Sequence, residues 1–390
     1  MPATATTRPE PTELTKRLVW TAAAGRCTLC NELVTENIRM GTPVPIGELA
    51  HNVGWSEDSP RGESELDDEA RRAPENLLLV CRNCHKPVDA GGMIGLYSVE
   101  ELRRRKHDHE GRIRFLTSIG ADQQATILRV VGLIRGSAPE LSYPTVLAAA
   151  TTARLYPQQL AGTNSAEYDV DLRSIAGEGT PAYFSVCALQ IDARIAQIND
   201  GIRRGDIRRL AVFAFARIPL LVHLGAQLDD KIETILFQRH RVDDGNPWCW
   251  PADPPAPPSF ATTCLQRGTD PQAIALIVNL TAPIQIDQLP KAVRASHTVY
   301  VLEPTAPASP HPSLIASRAA LAAFEQAARA FLCQIEADHG KPARIALFPS
   351  IPLAAAITLG RVLMPQLSPA WTVYDRDAAG AFVEALEVRR

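Results

Sequence analysis

The chain reads as a small α+β metal-binding domain followed by a larger α/β domain, and three observations predict this. Two C-x-x-C pairs, Cys27/Cys30 and Cys81/Cys84, flank a lone GELAHN segment near the N-terminus. From residue 122 onward, short apolar runs alternate with helical patterns, as parallel βα units do. Within that second half one junction occurs twice. FARIPLLVHLGAQL and FPSIPLAAAITLGRVL each close an apolar run, continue with Ile-Pro-Leu and go on to a helix carrying Leu-Gly.

With 390 residues, 46% of them hydrophobic, the chain has material for two or three domains with real cores. The formal net charge of −3 does not advertise a nucleic-acid binder, so any basic surface has to be local. MPATATTRPEPTE lacks the apolar stretch of a secretory signal, and no run reaches the ~18 to 20 apolar residues that span a bilayer. Of the eight cysteines, Cys187, Cys249, Cys264 and Cys333 are scattered among apolar neighbours and four form the pairs. Paired knuckles without an export signal read as metal ligands in a reducing cytosol rather than as disulfides. The expected location is cytoplasmic, with no membrane partner.

In order along the chain, TELTKRLVWTAAAGR predicts a helix with Leu14, Leu18 and Val19 on its apolar stripe and Gly25 as its stop. PVPIGELAHN is a short strand, and the polar, acidic stretch from Val53 to Ala73 is a loop. Asn76 to Cys84 returns the chain to the second knuckle. Ser98 and Glu101 form a capping box that opens the helix SVEELRRRKHDHEGRIR, and the first domain, 1–117, closes there. The second domain, 118–390, opens with ATILRVVGLIRG as a strand, SYPTVLAAATTARLY as a helix and YFSVCALQI as a strand. RRLAVFAFARIPLLVHLGAQL runs strand, turn, helix. ETILFQRHR, AIALIVNLT and HTVYVLEP are buried strands, and SLIASRAALAAFEQAARAFLCQIEADHG is a long helix. RIALFPSIPLAAAITLGRVL is again strand, turn, helix, and WTVYDRD is the final strand. PADPPAPPSF and EPTAPASPHP are proline-rich loops.

Proline is favoured in the first turn of any helix, so two similar strand–proline–helix junctions can arise in unrelated units. The strand after each junction also matches, TILFQRH against TVYDRD, which favours two copies of one α/β unit.

Four soft ligands delivered as two C-x-x-C turns are the usual donor set of a structural zinc, so Cys27, Cys30, Cys81 and Cys84 are the expected zinc ligands. A zinc closed by four protein ligands has no open position and is not itself catalytic. The order Cys-x-x-Cys, AHN, PENLLLVCRNCH resembles the HNH endonuclease family over about residues 13–110. The resemblance implies a ββα-metal finger in which His51 is the general base that activates water, Asn76 orients that base and its loop, and His85 binds a divalent cation. Asp89 follows His85 by one helical turn and would face the same ion. Mg²⁺ is the expected catalytic ion, with Mn²⁺ and Ni²⁺ equally suited to one His plus carboxylates.

Many members of that family carry Asp or His directly before the general base, where this chain has Ala50. On a strand Glu48 shares a face with that position and can supply the carboxylate, or stand as a solvated strand residue. Arg103, Arg104, Arg105 and Lys106 offer phosphate contacts to double-stranded DNA beside the site, or a solvated helix face. His107 and His109 read as surface residues.

The VVGLIRG opening, the duplicated strand–IPL–helix junctions and the closing WTVYDRD resemble the SAVED domain, a sensor of cyclic oligonucleotides built from two CARF-like, Rossmann-like units, over about residues 122–390. Ligands of open α/β sheets bind at the carboxyl ends of strands, and helix N-termini favour phosphate. Arg217 and Ser350 stand at the two matching junctions, and Arg239, Trp248 and Trp250 follow a strand. Each is a candidate ligand contact and, equally, an ordinary packing or capping residue. The two resemblances together imply an HNH nuclease governed by a SAVED sensor, as in cyclic-oligonucleotide-based antiphage (CBASS) effectors. A cyclic di- or trinucleotide binds, the protein forms homo-oligomers, and double-stranded DNA is degraded. Two other readings stay open: a constitutive or site-specific HNH enzyme with a C-terminal DNA-recognition domain, and a non-enzymatic zinc-knuckle module.

Overall fold

The computed structural model describes residues 10–36, 45–90, 93–157, 168–228, 230–241 and 244–390. The first residues of the PVPIGELAHN strand, 43 and 44, lie outside this set. The chain forms two compact units, Met1–Gly120 and Ala121–Arg390.

In the first unit the Thr12 hydroxyl accepts from Thr15 N–H and caps helix α1 (Glu13–Ala22). Ala24 and Gly25 then adopt left-handed backbone (φ 52° and 63°) and turn the chain into the first knuckle. Strand β1 (Gly47–His51) pairs antiparallel with β2 (Leu77–Cys81), placing His51 opposite Leu77 and Gly47 opposite Cys81. Between them lies a short helix α2 (Asp68–Arg72), capped by Asp67, within the stretch expected to be loop. Helix α3 (Arg82–Asp89) follows β2 without a break. Helix α4 (Val99–Thr117) starts at Ser98, whose hydroxyl accepts from Glu101 N–H. Every residue of β2 is buried, and with Val19, Val34, Ala50, Val88 and Leu102 it forms the core under the hairpin.

The second unit contains β3 (Gln124–Val131), α5 (Tyr143–Thr152), β4 (Tyr156–Pro157), β5 (Asp169–Asp171), α6 (Pro181–Arg204), β6 (Arg209–Phe215), α7 (Ile218–Gln227) and β7 (Glu233–Phe237). It continues through β8 (Phe260–Gln266), β9 (Ile274–Asn279), α8 (Lys291–Ser296), β10 (Thr298–Pro304), α9 (Arg318–His339), β11 (Arg344–Ser350), α10 (Leu353–Arg361), β12 (Ala370–Arg376) and β13 (Phe382–Val388). One sheet has the order β4-β3-β6-β7, with β5 also beside β3, and all its pairings are parallel. The other runs β13-β12-β11-β9-β10-β8; its four central strands are parallel and both edge strands antiparallel.

Three expectations need correction. YFSVCALQI is not a strand but the start of α6. Thr180 caps that helix, Pro181 occupies its first turn, and Tyr183, Phe184, Cys187, Ile191, Ile195 and Ile198 fall at helical spacing on one buried face. WTVYDRD is not the last strand, since β13 pairs beyond it. Strand β8, which begins at Phe260, the last residue of the segment PADPPAPPSF read as loop, escaped the sequence reading although its exposure alternates along its whole length.

The two matching junctions sit in equivalent places. Each parallel strand (β6, β11) leads through Ile-Pro-Leu into a helix (α7, α10) and on to a parallel neighbour (β7, β12). The helices α7 and α10 cross at their glycines. A Cβ on Gly225 would stand 1.9 Å from Ile357 O, and one on Gly360 would stand 1.9 Å from Val222 O, a reciprocal contact that only glycine permits. Both helices share one continuous core with Val212 of β6 and Leu276 of β9, so the halves fold against each other as one unit.

Candidate functional site

Two places in the fold gather chemistry: the hairpin and helix α3 of the first unit, and the carboxyl-end face of the strands in the second.

Cys81 ends β2 and Cys84 lies one turn into α3, facing the Cys27–Cys30 knuckle. The four sulfurs lie within 4.8 Å of one another. Cys30 Sγ to Cys81 Sγ is 3.7 Å, about the edge of a tetrahedron of thiolates ~2.3 Å from a zinc ion. Burial and the neighbouring Cys27 push the Cys30 thiol up to about 11, and burial with the Cys81 and Cys27 sulfurs raises Cys84 too. Burial also acts against Cys27, yet backbone N–H groups of Cys81, Cys30 and Leu29 hold it lower. Thiols packed so closely do not all ionise unaided, and a dication is the partner that makes the set favourable. These residues fit a metal such as zinc.

His85 is the next residue on α3. Its Nδ1 stands 2.5 Å from Glu48 Oε2 on β1, and its Nε2 stands 3.1 Å from Asp89 Oδ2 one turn on. The Asp89 and Glu48 carboxylates raise the His85 pKa against burial, and Asp89 is held low by His85, with Arg61 and His51 adding to the effect. The three side chains expected around one ion are therefore neighbours, but their ligand atoms do not converge. Glu48 and Asp89 take opposite edges of the imidazole, and an ion at either ring nitrogen meets one of them. Among the described residues only the four cysteines form a converging ligand set.

His51 ends β1 and is buried, 7% exposed. Asn76 is buried in the segment entering β2. Its Nδ2 donates to Val53 O and Arg71 O, each at 2.9 Å, and its Oδ1 accepts from Val53 N–H at 2.9 Å, fixing the chain just past His51.

Two residues that the sequence reading missed hold this region. The Arg61 side chain is 2% exposed. It donates to His51 O (3.1 Å), Asn52 O (2.9 Å), Val88 O (2.6 Å) and Asp89 Oδ1 (3.5 Å), tying the end of β1 to the end of α3. Arg71, also buried, donates to Leu66 O, Gly54 O and Gly62 O. Prolines and acidic residues around them made the stretch look like solvated loop.

The basic run on α4 is largely spent on its own helix. Arg104 pairs with Glu101 and Asp108, Arg105 with Glu101, and Lys106 with Glu110. Arg103 makes no ion pair among the described residues and, with Lys106, His107 and Asn76, lines a groove of about 610 Å³ beside α2. His109 is buried, contrary to the surface reading: its Nε2 stands 3.3 Å from Ala23 O, and burial lowers its pKa.

In the second unit Arg217 and Ser350 line one cavity of about 520 Å³ at the carboxyl ends of β6 and β11. Arg135, Arg241, Arg376, Thr281 and Phe382 also line it. Four of its lining residues are arginines and one, Asp375, is a carboxylate. The Ser350 Oγ is 2.8 Å from Thr281 Oγ1 and accepts from Ala282 N–H, while Leu280 and Thr281 N–H donate to Ser350 O. Arg376 lies over the Phe382 ring at 4.2 Å. The strand end of each half reaches the helix start of the other: Asp375 binds Arg217 Nε at 2.7 Å, and Gln238 Oε1 accepts from Ala354 N–H at 2.9 Å.

The other ligand candidates are elsewhere. Trp248 is fully buried against Phe213 in a core cluster, so it stacks on no ligand. Trp250 packs edge-on to His240 and, with Arg318 and Phe237, lines a separate cavity of about 270 Å³. Arg239 does not line the arginine cavity, whereas Arg241 does.

Residues 191–388 match the SAVED model, described as the SMODS-associated and fused to various effectors sensor domain. The chain belongs to the SAVED family. Among solved structures, the SAVED/CARF-domain receptor Cap4 of Acinetobacter baumannii with the cyclic trinucleotide 3'3'3'-cAAA is similar at 19% identity and a TM-score of 0.43, over 63% of this chain and 54% of that one. Cap4 with 2'3'3'-cAAA is similar at 17% identity and a TM-score of 0.43, over 79% of this chain and 62% of that one. The SAVED protein thus spans less than two thirds of these relatives. No curated protein matches it. Among its described residues, no helix is long and apolar enough to cross a membrane.

Proposed function

We propose that this SAVED protein is a cyclic-oligonucleotide-activated DNA endonuclease, an effector of CBASS-type antiphage immunity. The observation that carries the sensor half is the cavity in which Arg217 and Ser350, from the two duplicated junctions, stand with Arg135, Arg241 and Arg376. Several guanidinium groups around one opening suit a ligand bearing several phosphates, and Phe382 adds an aromatic face near them. The volume of about 520 Å³ lies within the ~300–1,000 Å³ of small-ligand cavities.

The nuclease half rests on the hairpin-and-helix that seats His51, Asn76 and His85 within one small unit, with Asp89 and Glu48 on His85. In the HNH reading His51 takes the proton from an attacking water. Arg61 ties its strand end to α3, and Asn76 fixes the chain just past it. A divalent cation, Mg²⁺ by preference, would be held by His85 with Asp89 and would supply charge at the scissile phosphate. The zinc at Cys27, Cys30, Cys81 and Cys84 is structural. The DNA partner meets Arg103, which makes no ion pair among the described residues and lines the groove beside α2. A cytoplasmic location and oligomerisation on activation complete the reading.

Titration with 3'3'3'-cAAA and a panel of cyclic dinucleotides tests the sensor. One of them binds the wild type with micromolar or better affinity. Arg241→Ala weakens it at least tenfold, while His51→Ala leaves binding intact and removes DNA cleavage. No binding by any member of the panel would overturn the sensor assignment.

A further inference from the structure

At the edge of the cavity, where Arg135 and Arg217 line it, lies an oxyanion site that the protein's own chain fills. After β3 the backbone makes a tight turn, closed by Ile134 N–H to Ser137 O at 2.9 Å. Its two central residues, Arg135 and Gly136, are both left-handed (φ 54° and 73°). Successive amides in such a turn point to one side and form a concave anion-binding nest. Here both amides donate to one carboxylate: Arg135 N–H to Glu178 Oε1 at 2.7 Å and Gly136 N–H to Glu178 Oε2 at 2.8 Å. Arg217 Nη1 adds a third donor to Oε1 at 2.8 Å. The Glu178 and Arg217 side chains are 16% and 14% exposed.

The segment that delivers this carboxylate is made for close approach. Glu178 stands between Gly177 and Gly179, both left-handed (φ 78° and 84°). A Cβ on Gly179 would lie 3.4 Å from Arg217 Nη1. Thr180, next in the chain, caps α6. Arg217 is anchored independently of Glu178, since Nε binds Asp375 and Nη2 donates to Arg376 O at 2.9 Å. Two amides and a fixed guanidinium would remain in place if Glu178 left, and Arg135 and Arg217 both line the cavity.

We propose that the Arg135–Gly136 turn with Arg217 is a phosphate site held by Glu178 as an internal stand-in, and that a phosphate-bearing ligand enters by displacing this carboxylate. Phosphate and carboxylate oxygens ask for the same donors, so the exchange needs no new geometry. A tethered competitor lowers the apparent affinity by the fraction of molecules in which it is released. It thereby sets a threshold against isolated phosphates, which a ligand that also reaches Arg241 and Arg376 overcomes. Its release would free the Gly-Glu-Gly segment in front of α6. The use of the site by a cyclic oligonucleotide rests on the sensor reading given above; the oxyanion site does not.

The test is thermal unfolding of the full chain with inorganic phosphate, against chloride at equal ionic strength. The wild type shows little phosphate-specific shift. Glu178→Ala gains a saturable upward shift of a few degrees, with an apparent phosphate affinity at least about tenfold tighter than the wild type's. If Glu178→Ala does not fold, Glu178→Gln, which keeps the shape and removes the charge, is expected to move in the same direction. A folded variant whose phosphate response equals that of the wild type overturns the proposal. A gain in phosphate binding without any cyclic-oligonucleotide binding overturns the sensor reading and leaves the oxyanion site standing.

Discussion

Replacing Gly225 with alanine sets two effects of known size against each other. In a helix interior this change is worth about 1 kcal/mol of propensity in favour of alanine. At the crossing of α7 and α10, however, the new methyl would stand 1.9 Å from Ile357 O. Moving from 1.9 Å to even 3.0 Å requires the helices to part by about 1.1 Å. The obstacle is backbone, so no side chain can swing aside. Leu220, Leu224, Ile357 and Leu359, each at most 1% exposed, lose contacts as the crossing opens. Overpacking costs about 1–3 kcal/mol, and a backbone obstacle puts this case at or above the upper end. After the propensity gain, a net loss of about 2 kcal/mol remains. That lowers the melting temperature of the α/β unit by about 4–8 °C in calorimetry. The same substitution at Gly111, inside α4 with nothing within 4 Å of its Cβ position, should stabilise by about 0.5–1 kcal/mol. A Gly225→Ala protein as stable as the wild type, or more so, would refute the close reciprocal crossing of the two halves.

Three further outcomes follow from the geometry. Native mass spectrometry should find one zinc per chain, lost in Cys84→Ser but kept in His85→Ala, because His85 faces Glu48 and Asp89 rather than the sulfurs. Arg61→Ala leaves His51 O, Asn52 O and Val88 O without their buried donor and should cost at least about 3 kcal/mol in denaturant unfolding; a change under 1 kcal/mol would contradict its role as the tie between β1 and α3. Glu178 is held below its ordinary value: burial opposes this, but the Gly136 amide, Arg217 and the Arg135 amide outweigh it. A depressed carboxyl pKa gives stability that is present above the unfolded value, about 4.5, and is lost as pH falls through the lower folded value. The stability difference between wild type and Glu178→Gln should therefore be constant near neutrality and shrink below about pH 4.5; a difference that grows on acidification has the wrong sign.

What was legible in the sequence was what spacing alone dictates. The C-x-x-C pairs, the turn from Cys84 to His85 to Asp89, the Ser98 cap and the two Ile-Pro-Leu junctions all fix geometry within a few residues. Arg217 and Ser350 could be placed on one face because a strand-to-helix turn opens on the carboxyl face of a sheet, and both line the cavity there. What failed depended on tertiary context. Tyr, Phe, Val and Ile in YFSVCALQI have strand propensity, yet Thr180 and Pro181 start a helix whose apolar face the sheets cover. Trp248 follows a strand as expected but is needed in the core beside Phe213. Arg61 and Arg71 looked solvated, because nothing local shows which distant carbonyls a long side chain will reach. Arg135 and Arg376 lay inside the quoted VVGLIRG and WTVYDRD segments. A cationic residue just past or at the end of each such strand was the available signal for the cavity.

Gating of a DNA-cutting site by a cyclic oligonucleotide is tested most directly on plasmid DNA, with the full chain, Mg²⁺ and a panel of cyclic di- and trinucleotides. The plasmid should stay intact with Mg²⁺ alone and be degraded once one member of the panel is added, and His51→Ala should leave it intact throughout. Degradation at full rate without any cyclic nucleotide would contradict the gating, and an intact plasmid in the presence of a cyclic nucleotide shown to bind would contradict the nuclease.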